Sequence, residues 1–136
     1  MQTFLPFPEF DKSATVLDRQ RLGKQRVEAY QILRSIKFCN GWSHHPIVKM
    51  WTGCENALKL YSNAMVNEWI RRGYRNNLEI YNLTGCRIDF PWWLGNDEFH
   101  ASHRAALLAK NNEYYSKYRW IEEPKISYVW YVKGIL

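Results

Sequence analysis

The sequence predicts a mainly α, compact single domain of about three main helices, with irregular, aromatic-rich N- and C-terminal segments. Three observations lead there. At 136 residues the chain is the size of one domain, long enough to bury about two thirds of its unfolded surface. Apolar residues recur at helical spacing in long stretches separated by Gly, Asn and Pro. No internal repeat, low-complexity tract or linker divides the chain, so residues 1–136 read as one domain.

Residues 1–10 carry Pro6 and Pro8 and cannot be helical through them; they read as an extended arm laid on the core by Phe4, Leu5, Phe7 and Phe10. Asp11 or Ser13 then caps a first helix running to about Lys37, with Asn40-Gly41 as its stop. Within it, Leu22, Ala29, Leu33 and Ile36 form the expected core-facing stripe. Arg21, Lys24, Gln25 and Glu28 fall at i, i+3, i+4 and i+7, so their side chains reach one spot on another side. Arg26 interrupts the apolar side, and Gly23 sits mid-helix about 1 kcal/mol below alanine in propensity. Both departures mark a place where a ligand or another backbone comes close.

Residues 42–53 hold Trp42, His44, His45-Pro46 and a short apolar turn to Trp51. Leu58, Tyr61, Met65 and Trp69 define a second helix, supported by Glu55–Lys59 and Glu68–Arg72 pairs and stopped by Gly73. Arg71, Arg72 and Arg75 crowd its end, where the helix dipole favours cations. Residues 74–95 are loop-like, and Trp92-Trp93 beside Pro91 and Gly95 reads as a core plug. A third helix starts near Asn96 or Asp97, continues through His100, His103 and Arg104 to about Lys110, and resumes through Tyr114, Tyr115 and Tyr118. The tail from Arg119 interleaves Trp120, Tyr128, Trp130 and Tyr131 with Lys125 and Lys133.

Composition narrows the function. No run of about eighteen apolar residues exists, so no membrane span is expected, and no basic-then-apolar N-terminal region suggests secretion. Cys39, Cys54 and Cys86 lack C-x-x-C spacing, which argues against a disulfide framework or a zinc cluster and for a reducing compartment: the cytoplasm, or the nucleus of a eukaryotic host. Nineteen Lys and Arg against thirteen Asp and Glu give a net charge of +6, a bias toward polyanions. Seven Trp and nine Tyr are more than one small core needs, so some are expected to stack on bases or sugars.

His100 and His103 could share a helix face, but no third ligand accompanies them; no metal and no cofactor is expected. These two, with His44 and His45, are read as capping, phosphate or sugar contacts, and Arg104 as a phosphate contact. No Gly-rich phosphate loop and no paired-carboxylate signature appears. What remains is Glu28 among Arg21 and Arg26, with the amine of Lys24 nearby. Opposite charges favour the carboxylate, which suits stabilising a cationic sugar or an iminium, activating a water or steering a Schiff base. Flanking arginines would grip the phosphates on either side of a distorted nucleotide.

The order of a short arm, a polar helix with Arg21-x₆-Glu28, a second helix Tyr61…Glu68-Trp-Ile-Arg-Arg-Gly-Tyr74, a His-containing third helix and a Trp/Tyr/Lys tail resembles the pyrimidine-dimer DNA glycosylases of the endonuclease V type. The resemblance covers most of the chain, and its arm and first helix are similar to those of bacterial and viral proteins placed in that family. It implies a mainly α domain that binds UV-damaged duplex DNA, kinks it and flips out a base opposite the lesion. It also implies attack of an α-amino group on the sugar C1′, departure of the base, a Schiff base, and β-elimination that nicks the strand without metal or cofactor. The family's catalytic glutamate matches Glu28, and its nearby arginine matches Arg26 or Arg21. The DNA side would include Gln25, Arg71, Arg72, Arg75, Trp130, Tyr131 and Lys133 with the histidines and Arg104. In the family the initiator Met is removed and a Thr supplies the amine. Here Gln2 is too large for ordinary Met removal, so the amine belongs to Met1, or the task passes to Lys24 one turn before Glu28.

Two classes of function follow: a DNA glycosylase with AP-lyase activity on pyrimidine dimers or another altered base, expected to act as a monomer, or a non-catalytic nucleic-acid-binding domain that keeps the basic, aromatic surface. A nuclease using His100, His103 and a metal is a third.

Overall fold

The structure, a computed structural model, describes residues 1–131. All its regular elements are helical: α1 (Phe10–Val16), α2 (Arg19–Phe38), α3 (Pro46–Trp51), α4 (Glu55–Arg71), α5 (Asp97–Lys110) and α6 (Asn112–Tyr115), the last continued by a 3₁₀ turn at Ser116–Tyr118. The three long helices, α2, α4 and α5, are the three expected from periodicity. α4 packs along α2 and also carries α1, while α6 follows α5 after Asn111 and contacts its end. The irregular tail after Arg119 returns along α5, tied by Lys125 N–H to the Ala105 carbonyl at 3.1 Å and Val129 N–H to Ser102 Oγ at 3.3 Å.

The expected first helix is two helices. Leu17 and Asp18 are extended (ψ 139° and 160°) and buried, which ends α1 and restarts the chain as α2. The cause lies 97 residues away. Tyr115 donates its hydroxyl to Asp18 Oδ1 and accepts the Asp18 N–H at 3.0 Å, a pairing that a continuous helix would bury in its own turns. The Tyr115 hydroxyl is pushed far up by burial and by that carboxylate. Nor does Asn40-Gly41 stop α2: Cys39 takes the left-handed position (φ 48°) and returns its N–H to Ser35, as a C-cap does.

The buried stripe of α2 is rotated from the one expected. Leu22 and Ala29 are buried, but Gln25, Ile32 and Ser35 join them while Leu33 and Ile36 are half-buried. Gly23 does mark a close approach, though of a side chain: a Cβ there would stand 3.0 Å from the Trp69 ring of α4. The short turn before Trp51 is a true helix, with Pro46 at its first position and His45 Nδ1 accepting the Ile47 N–H at 3.1 Å. Trp92-Trp93 divides its roles. Trp93 is buried edge-on against Trp51 at 5.1 Å, whereas Trp92 is 62% exposed beside Tyr131. No described helix is long and apolar enough to cross a membrane.

Candidate active site

The site is built on the arm. Residues 2–6 have no regular secondary structure yet are buried, so their backbone groups need partners from neighbouring elements. Phe4 N–H donates to Gln25 Oε1 at 2.8 Å and Leu5 N–H to His103 Nδ1 at 2.8 Å. The Leu5 carbonyl faces His100 Nδ1 at 2.7 Å, and Trp51 Nε1 donates to Thr3 Oγ1 at 3.0 Å. The Tyr61 hydroxyl shares one proton between the Phe4 carbonyl at 2.9 Å and Gln25 Oε1 at 2.7 Å. Gln25 is therefore a buried anchor of the arm, and it also lines the cleft between the arm and α2.

The two α5 histidines are anchors as well. Expected at the DNA surface, both are buried. Their hydrogen bonds fix the tautomers: His100 Nε2 accepts the Gly95 N–H at 2.9 Å, so Nδ1 carries its proton, and His103 Nδ1 accepts from Leu5, so Nε2 carries its own. Burial first, then the neighbouring His100, pushes His103 down to about 3; burial also lowers His100. Both are neutral, and no group of three or more His, Cys, Asp or Glu that could hold a metal exists among the described residues.

Held this way, the start of the arm meets α2. Met1, Gln2 and Phe4 line a cleft of about 300 Å³ with Arg21, Lys24 and Glu28, closed by Gln20, Lys110 and Tyr128. Glu28 Oε2 accepts the Gln2 N–H at 3.3 Å and Gln25 Nε2 at 2.9 Å; Oε1 has no hydrogen bond among the described residues. Arg21 pairs with Asp18 at 3.2 Å at one edge, and Lys24 is exposed at another. A second groove, of about 570 Å³, lies across Glu28 and is lined by Gly23, Val27 and Trp69.

The other candidate residues are dispersed. Arg26 turns away from the cleft: its guanidinium lies over Trp69 at 4.3 Å and donates to Asn76 Oδ1 at 2.7 Å, and desolvation lowers its pKa. Arg71 and Arg72 are engaged by the buried carboxylate of Glu68 at 2.6 and 2.7 Å, which they hold below the usual carboxylate range. Arg72 also donates to the Ala14 and Thr15 carbonyls, tying α1 to α4. Arg104 pairs with Glu122 at 2.9 Å and donates to the Pro6 carbonyl at 2.8 Å, one more anchor of the arm. Arg75 and His44 are exposed. His45 is closer to the cleft: burial lowers its pKa first, and the positive amino terminus lowers it further. It stands edge-on to Trp42 at 6.1 Å and Trp130 at 5.8 Å, and Trp130 touches Tyr128 of the cleft at 5.7 Å. Tyr131 donates to Asn96 Oδ1 at 3.0 Å, and Lys133 lies outside the described residues. Gln2 and Lys110 escaped sequence reasoning, because neither motif nor periodicity links the arm or the end of α5 to the face of α2; Gln20, one turn before Lys24, was legible in the helical spacing and was missed.

Residues 1–82, which supply the arm and α1 through α4, match the family model described as pyrimidine dimer DNA glycosylase. The chain belongs to that family. No curated protein and no solved structure matches it. As a member of the family the protein is a DNA-repair glycosylase with DNA as its substrate. The matched span holds Met1, Arg21, Lys24 and Glu28, while Lys110 and Tyr128 come from the part of the chain after it.

Proposed function

We propose that this glycosylase removes pyrimidine-dimer bases from duplex DNA and nicks the strand through an imine formed by the α-amino group of Met1, working as a monomer in which residues 1–136 form one domain. The observation that supports this most is the shared cleft of Met1 and Glu28, with the arm's own Gln2 N–H on the glutamate. The amine nitrogen attacks C1′ as the C1′–N bond to the base breaks. Glu28 stabilises the cationic sugar and takes the proton that the attacking nitrogen must shed. The C1′–O4′ bond then breaks, O4′ is protonated and the nitrogen's lone pair closes the protonated imine; a C2′ proton is removed to a base as the C3′–O bond breaks and the 3′ phosphate leaves. Arg21 and Lys110, at the rim, suit the flanking phosphates, and the row Tyr128–Trp130–His45–Trp42 offers rings on which displaced bases stack.

Lys24 lines the same cleft and is the second amine the geometry offers. Borohydride trapping on a UV-irradiated duplex, with chelator present and an abasic duplex alongside, separates the cases. A covalent adduct on the UV duplex that maps by peptide mass to Met1 is the expected result, and one on Lys24 reassigns the nucleophile. DNA binding without an adduct on either duplex would leave a non-catalytic binding domain.

A further inference from the structure

We propose that the side-chain amide of Gln2 recognises the departing base, donating a hydrogen bond to the carbonyl oxygen next to its glycosidic nitrogen. The inference rests on the reaction proposed above and assigns a specificity role to a side chain that reading leaves idle.

Gln2 is only 6% exposed, although it belongs to the first residues of the arm. Its Oε1 accepts the Thr3 N–H at 2.9 Å. That contact fixes which way the amide points, because a backbone N–H can be met only by the oxygen. Nε2 is left buried, with two protons and no partner among the described residues. Native interiors hold few such groups, and each calls for an explanation. The other side-chain atoms in this condition are Arg26 Nε, Ser35 Oγ and His103 Nε2, none on a residue lining the cleft. Gln2 does line it, between Met1 and Glu28. An unused donor is thus carried by a residue that lines the same cleft as the amine and the carboxylate and bonds that carboxylate through its backbone.

The chemistry supplies an acceptor there. As the Met1 nitrogen bonds to C1′, the C1′–N1 bond breaks and its electron pair moves onto N1 and the adjacent carbonyl oxygen of the pyrimidine. The proton shed by the attacking nitrogen passes through Glu28 to the base, which leaves neutral. A fixed donor at that oxygen is stronger in the transition state than in the ground state, so it accelerates base departure more than it aids binding. An abasic site has no base to expel, so the same donor is without effect on it.

That difference is the test. Gln2→Glu keeps the acceptor for Thr3 and removes the donor; Gln2→Met removes both without adding charge. Both side chains are large, and intact mass checks that Met1 is retained. Single-turnover base release from a dimer-containing duplex should fall about 10²-fold in both variants. Its KM should hold, and cleavage of an abasic duplex should stay within about threefold of wild type. Equal loss on both substrates would reduce Gln2 to a strut of the arm, and no loss on either would remove it from the site; each overturns the proposal. A wild-type protein inactive on both duplexes would instead overturn the proposed reaction, and this inference with it.

Discussion

The N-terminal arm and the C-terminal tail are both irregular, both aromatic and both laid against α5, yet they are held in opposite ways. The arm is buried, and its backbone is met group by group by Gln25, Tyr61, His100, His103 and Arg104. The tail keeps Ile121 94% exposed and Ile126 57% exposed; it is tied to α5 at Lys125, Val129 and Glu122, and its Trp120 stacks on Tyr115. Directional bonds to a buried backbone leave one conformation, whereas an exposed segment tied at a few points can shift at small cost. A nucleophile needs the first kind of support and a surface that follows a distorted duplex needs the second.

The largest effect should come from the residue the arm delivers its amine to. Glu28→Gln should lower nicking by about 10²- to 10⁴-fold while leaving duplex affinity within a few-fold, measured by single-turnover cleavage and by titration at fixed salt. Loss of binding in parallel would make Glu28 a structural residue.

Breaking the arm's anchorage should come next. Gln25→Leu strips the Phe4 N–H of its acceptor, leaves the Tyr61 hydroxyl only the Phe4 carbonyl, and should lower unfolding stability by about 2 kcal/mol in a urea titration, with activity falling alongside. Unchanged stability would show that the arm is not held through Gln25.

Acid should weaken the anchorage of the arm through His103. His103 is about 3 in the folded protein against an ordinary 6.5, so only the unfolded chain takes up this proton in between. Its contribution is whole above about pH 6.5 and is lost as the pH falls toward about 3. His103→Asn places an oxygen where Nδ1 accepts from Leu5 and cannot titrate, so its Tm should decline less steeply with pH across that window. Parallel slopes in the two proteins would assign the acid sensitivity elsewhere.

The smallest effect belongs to the tail. Trp130→Ala should change stability by less than about 0.5 kcal/mol, because the ring is 37% exposed, yet weaken DNA binding by about 1 kcal/mol through lost stacking. A large loss of stability would make the tail a second arm.

Periodicity alone determined the three long helices and placed Arg21, Lys24 and Glu28 on one side of α2, because a 3.6-residue repeat is a local property of the chain. The aromatic excess and the positive charge pointed to nucleic acid, as charge and exposed rings do before any fold is known. Tertiary structure alone decided the rest. Tyr115 split the first helix at Asp18, and Trp69 explained Gly23. Gln25, His100 and His103 read as ligand contacts along the sequence, but the buried backbone of residues 2–6 needed partners and took them. The family resemblance left Arg26 and Arg21 open as the arginine near Glu28, and packing sent one to Trp69 and the other to the cleft. Which polar side chain serves a ligand and which serves the chain's own backbone is settled by burial, and burial is a property of the assembled fold.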